Sequence, residues 1–155
     1  MAKSHTPSIN AVQTSVIDGR MQNVQYRQRI LHQLHDTLVD NVSAICNAVQ
    51  VDSGNSEAEA EVEFYCALYH LKSLFDGHKL DFRRGLQEEY SLEKGIDFPT
   101  RSVAVGLILI TPTVYSRFYS TISPLSAAVA AGNCVLLEVS TIMFSPQNML
   151  ISYYT

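Results

Sequence analysis

Cysteine, basic charge and long apolar runs are all scarce in this chain. Cys46, Cys66 and Cys134 are the only cysteines in 155 residues. Their number is odd, their spacing is wide and no CxxC pair occurs. That argues against a disulfide framework or a zinc knuckle and for reduced thiols. Lys and Arg total 11 against 15 Asp and Glu, a formal net charge of −4. Nucleic acid selects a basic face and is not an expected partner. The longest aliphatic run, Val103–Ile110, falls far short of the roughly 20 residues that cross a bilayer. The opening MAKSHTPSIN lacks the apolar stretch of a signal peptide. The expectation is a cytoplasmic protein with no membrane partner.

Hydrophobic residues make up 46% of the chain and charged residues 17%, which suffices for a core. Residues 8–18 suit a short helix stopped by Gly19. From Arg20 to Gln50 a helical period carries Ile30, Leu34, Leu38, Val42, Ile45 and Val49 on one face. A turn at Asp52–Asn55 follows. Ser56 and Glu59 form a capping box that opens a helix with Phe64, Leu68, Leu71 and Phe75 as its buried stripe. Residues 79–100 are polar and aperiodic, a connection with short extended pieces.

The C-terminal part reads differently. Val103–Ile110 is a β-branched and aliphatic run suited to a strand covered on both faces. Phe118–Ala131 suits a helix, with Pro124 a kink risk and small alanines for close packing. Gly132 stops it, Cys134–Val139 is a second strand, and Ser145–Pro146 starts a last helix. The fold class is α/β: N-terminal helices and a polar connection over 1–100, then a minimal parallel βαβ unit with a further helix over 101–155.

At residue level the chain resembles the aldehyde dehydrogenase superfamily, most closely its class-3-like and fungal branches. GRMQNVQYRQRILHQLHDTLVDNVSAICNAVQVD at 19–52 is similar to the family's N-terminal helical segment. AVGLILITPTVYS at 104–116 sits where the family has P-x-G-V-x-x-I-x-P-W-N-Y-P. SPLSAAVAAGNCVLLEVS at 123–140 sits on S-P-L-x-x-A-(I/L)-A-A-G-N-x-V-(V/I)-x-K-P-S, and PLSAAVAAGN is its specific core. The resemblance implies a cofactor-domain remnant of the Rossmann type.

Several positions depart from that pattern. The family's turn asparagine, an oxyanion donor, falls on Val114, which has no donor to offer. Thr113 and Ser116 replace the tryptophan and the second proline. Glu138 stands where the family has a lysine that bonds the adenosine ribose, and Thr141 where it has a glutamate. Cys46, Cys66 and Cys134 do not match the family's nucleophile, and the chain stops before the family's base and second glycine-rich turn. The expectation is a truncated scaffold without cofactor or metal and without thiol-dependent hydride transfer.

The candidate catalytic residues are Glu138 and Tyr115, with Val114, Arg117 and Tyr119 lining a substrate site at the strand ends. A carboxylate in apolar surroundings can act as a general acid or base; a solvated strand end is the plainer account of Glu138. Tyr115, Arg117 and Tyr119 present either a ligand surface or ordinary helix-start side chains. His32 and His35 are spaced for a metal, though no third ligand completes a set. His70 and His78 suit the end of a helix dipole. Two strands cannot cover two helical layers, so a homo-oligomer is expected. The leading functional expectation is a cofactor-independent isomerase, cyclase or dehydratase acting on a small hydrophobic metabolite, with secondary metabolism as a setting. The alternatives are a non-catalytic partner or regulator of a full-length aldehyde dehydrogenase, or a non-functional remnant.

Overall fold

A computed structural model describes residues 6–75, 90–91, 96–97 and 104–138. Helix α1 spans Thr6–Ile17, and a 3-10 turn follows at Arg20–Gln22. The long helical period after it divides into α2, Val24–Asp40, and α3, Val42–Ser53. Two asparagines mark where it begins and where it divides. Asn23 caps α2, its Oδ1 accepting from the N–H groups of Gln25 and Tyr26 at 2.9 and 3.2 Å. Asn41 leaves helical geometry at φ −118°, ψ 20°, and its Nδ2 donates back to the Thr37 carbonyl at 2.8 Å. An asparagine that can satisfy the backbone locally competes with helix continuation. The buried residues are Leu31, Leu34, Leu38 and Cys46, while Ile30, Val42, Ile45 and Val49 pack around their rim.

Helix α3 ends at Gly54, whose φ of 70° suits a left-handed stop, and its N–H donates to the Gln50 carbonyl. Helix α4 then runs Glu57–Phe75 behind the expected capping box. The Ser56 N–H and hydroxyl both donate to Glu59 Oε2 at 2.8 Å, while the Glu59 N–H reaches Ser56 Oγ at 3.4 Å. Ala60, Phe64, Ala67 and Leu71 form its buried stripe, with Leu68 and Phe75 partly covered.

Within the polar connection, β1 (Tyr90–Ser91) and β2 (Ile96–Asp97) pair antiparallel, in keeping with short extended pieces. Strand β3 is Leu107–Ile110, helix α5 is Arg117–Ala130 and strand β4 is Cys134–Leu137. β3 and β4 pair in parallel, Leu107 with Cys134 through Ile110 with Leu137. The described residues are therefore mostly helical with a small parallel sheet, the α/β arrangement expected. The strand expected from Val103 is shorter, and it is not covered on both faces: Ile110 is buried, but Leu109 is 59% exposed. The helix expected at Ser145–Pro146, Val139 at the end of the second strand, and Thr141 lie outside the described residues.

One apolar cluster joins the helices to the βαβ unit, with Leu31, Leu38, Phe64 and Leu71 on one side and Ile110, Phe118, Ile122 and Val129 on the other. Phe64 stacks on Phe118 at 5.6 Å between ring centroids. Polar bonds fix the corner between α5 and β4. Arg27 Nη1 donates to the Ala130 carbonyl at 2.9 Å across 103 residues. Asn133, 4% exposed, accepts from the Gly106 N–H at 3.0 Å through Oδ1, and its own backbone N–H donates to Ala128. Gly132 has φ +86°, and a Cβ there would lie 2.8 Å from Arg27 Nη1 and 3.2 Å from the Met21 carbonyl.

Gly132→Ala should therefore cost about 2–3 kcal/mol in denaturant unfolding, from left-handed strain and a displaced Arg27 bond. A second expectation concerns pH. The hydrogen bonds from Ser56 hold the Glu59 carboxyl below its ordinary value. A carboxyl lowered on folding contributes stability above its unfolded value and loses that contribution as pH falls through the folded one. The melting difference between wild type and Glu59→Ala should be largest near neutrality and should vanish on acidification below the carboxylate range.

Candidate functional site

The turn after β3 and the tip of β4 lie side by side because the strands are parallel and in register through Ile110 and Leu137. The next residue on each strand is polar, and the two meet: Thr111 Oγ1 donates to Glu138 Oε2 at 3.0 Å. The Glu138 N–H continues the ladder to the Ile110 carbonyl at 2.9 Å. Glu138 is exposed, so its carboxylate sits in solvent beside a hydroxyl.

Residues 111–116 then turn into α5. The Thr113 N–H donates to Ser120 Oγ at 3.1 Å, which pins the turn to the helix it precedes. Ser116 stands at the N-cap without a side-chain bond. The missing cap comes from α4: Glu63 Oε1 accepts from the Tyr119 N–H at 3.0 Å. A carboxylate is well placed there, since the first-turn N–H groups carry partial positive charge.

Val114 and Tyr115 project into solvent, 68% and 88% exposed. Tyr119 lies on the flank of α5 at 38%. Arg117 is half-buried, and among the described residues its Nη1 is buried without a hydrogen-bond partner. The five candidate residues thus share one end of the βαβ unit, and among the described residues only Glu138 is bonded to another strand-end side chain. Among the described residues, the shallow depression on the surface does not include them; it lies on α4.

Sequence reasoning did not single out Thr111 or Glu63. Thr111 could have been found by aligning the two strand tips. Glu63 could not, because nothing in the sequence says which element faces that flank of α4. The histidines also take specific settings. His32 and His35 contact Phe75, with ring centroids 4.3 and 5.4 Å away, and His35 Nδ1 meets Asp36 Oδ1 at 3.2 Å. His70 pairs through Nδ1 with Ser123 Oγ at 3.0 Å and so ties α4 to α5. His78 lies outside the described residues. Cys46 and Cys134 are buried, and burial pushes both thiols up; Glu61 and Glu57 add to the effect at Cys46. Cys66 is exposed on α4.

No family model matches the sequence. Aldehyde dehydrogenase family 3 member B1 of Mus musculus is 29% identical over 141 residues, covering 86% of this chain and 29% of that protein. The protein of the same name from Rattus norvegicus is 29% identical over 140 residues, covering 85% of this chain and 28% of its own length. The relationship is aldehyde dehydrogenase-like and partial. The chain spans less than a third of the length of these relatives.

An aldehyde dehydrogenase-like chain raises the question of a dinucleotide. The groups at this end fit one poorly. Glu138 stands at the tip of β4, and Glu63 already accepts from the Tyr119 N–H in the first turn of α5. Two carboxylates near a diphosphate would repel it. Glu63→Ala should free the Tyr119 N–H, speed its hydrogen exchange and cost about 1 kcal/mol, as for loss of an N-cap.

Proposed function

We propose that this aldehyde dehydrogenase-like chain works without NAD-dependent redox chemistry. In this reading it performs cofactor-independent acid/base chemistry of the isomerase, cyclase or dehydratase type on a small hydrophobic metabolite. The observation that carries the reading is the Thr111–Glu138 pair at the strand ends, next to a turn that exposes Val114 and Tyr115. Glu138 can take a proton from a carbon acid and return it to a neighbouring atom. The Thr111 hydroxyl orients that carboxylate, and Tyr115 offers a phenol as the proton donor. Arg117 supplies positive charge for a developing enolate. Val114, in the turn, presents a methyl surface to an apolar substrate.

The same chain is proposed to self-associate. Val105 and Leu109 are 85% and 59% exposed, an apolar surface at and next to a sheet edge of the kind that association covers. That surface also supports a second reading, in which the chain is a non-catalytic partner of a full-length aldehyde dehydrogenase and docks through β3.

Two measurements decide between redox and non-redox readings. Calorimetric titration with NAD should give no heat of binding; stoichiometric binding would overturn the proposal. Solvent deuterium should enter cyclohexanone next to its carbonyl faster with the protein than without it. Glu138→Gln should remove that acceleration while leaving the melting temperature unchanged. Exchange that survives the substitution rules out Glu138 as the base.

A further inference from the structure

Helix α4 carries two apolar stripes. Ala60, Phe64, Ala67 and Leu71 face the core and are fully buried. Ala58, Val62, Tyr65 and Tyr69 repeat the same spacing of four, three and four residues, displaced by two positions. Two residues turn a helix by about 200°, so the second stripe lies opposite the first. It faces solvent: Val62 is 63% exposed, Tyr65 55% and Tyr69 78%. With Glu61 and Cys66 these residues line an open apolar trough. A surface helix ordinarily has one apolar face, and a helix apolar on two sides is ordinarily covered on both.

Among the described residues the trough is lined by one helix alone. A convex wall cannot enclose a small molecule, but its ridges and grooves accept another helix. The spacing four-three-four reads the same in either direction. An antiparallel copy of α4 would set Ala58 against Tyr69 and Val62 against Tyr65, small against large at each end. Charge selects the same orientation. Glu57 and Glu59 lie in the first turn and Lys72 in the last. Antiparallel pairing brings acidic ends to basic ends and aligns the helix dipoles favourably, whereas parallel pairing sets Glu57, Glu59 and Glu61 against themselves.

We infer that the outer face of α4 is the interface of a two-fold homodimer, in which α4 packs antiparallel on α4 of a second copy. The inference rests on the self-association proposed above and names its surface. A two-fold axis makes the contact self-complementary and closed, with each face used once. Cys66 stands beside the stripe and so lies near its own copy.

The test is sedimentation equilibrium of the full chain, with far-ultraviolet circular dichroism to confirm folding. Wild type should be a dimer. Tyr69→Glu and Val62→Glu each place a charge in the packed contact and should weaken it on the order of 100-fold. Both side chains point away from the core, so the melting curve of the folded monomer should persist. A short bismaleimide should link wild-type dimers through Cys66, and Cys66→Ser should abolish the link. A dimer that resists both glutamate substitutions overturns the α4 interface and leaves self-association standing, with the edge of β3 as the next surface. A folded wild-type monomer overturns both. An open-ended polymer overturns the two-fold arrangement.

Discussion

Between α5 and β4 the chain passes from helix to strand in three residues, and the groups buried at that corner hold the molecule in its arrangement. Asn133 gives its backbone N–H to the end of α5 and its side-chain oxygen to Gly106, just before β3. Arg27 comes from α2 and takes the Ala130 carbonyl, with Gly132 leaving room for the guanidinium. One corner therefore sets three relationships: helix to its own next strand, strand to strand, and N-terminal helices to the sheet. Buried polar groups of this kind contribute little net energy when paired and a large penalty when not, so they select one geometry over others of similar apolar burial. The apolar cluster of Leu31, Phe64, Phe118 and Ile122 supplies the affinity between layers, and the corner decides their placement.

The scaffold is unevenly covered. Its inner surfaces are filled: Phe64, Leu31, Leu38 and Ile122 are almost wholly removed from water. Its outer apolar surfaces are not, along α4 and on the solvent side of β3. The strand-end group lies between these extremes, with a paired hydroxyl and carboxylate on an open rim. Chemistry on such a rim depends on what closes over it, and the uncovered faces show where closure by another protein surface would be energetically favourable.

Much of the fold was legible from residue pattern because local rules and tertiary packing agree. The capping box at Ser56 and Glu59, the alanine-rich α5 and the parallel strands with their Gly132–Asn133 turn were all written in short stretches, whereas the turn expected at Asp52–Asn55 starts only at Gly54, because α3 runs through Ser53. The helical period across Arg20–Gln50 is interrupted at Asn41, whose side chain satisfies the backbone locally, and hydrophobic spacing alone does not register that break. At the candidate site the sequence offers residues but not their contacts. Glu138 was flagged, but the Thr111 hydroxyl beside it follows only from strand register. His70 was read as a group near a helix end, and its bond to Ser123 depends on how α4 crosses α5. Tyr65 and Tyr69 lie opposite the buried stripe of α4 and face outward.

The bond from Glu63 to the Tyr119 N–H joins positions 56 residues apart. Starting a helix is costly because several residues must be fixed before the first internal bond repays them. Here part of that initiation is supplied by a carboxylate already held on another helix. The opening turn of α5 is thus capped from α4, so it depends on a contact that only the tertiary fold provides. A change that loosens α4 from α5 would therefore also fray the turn beside the strand ends.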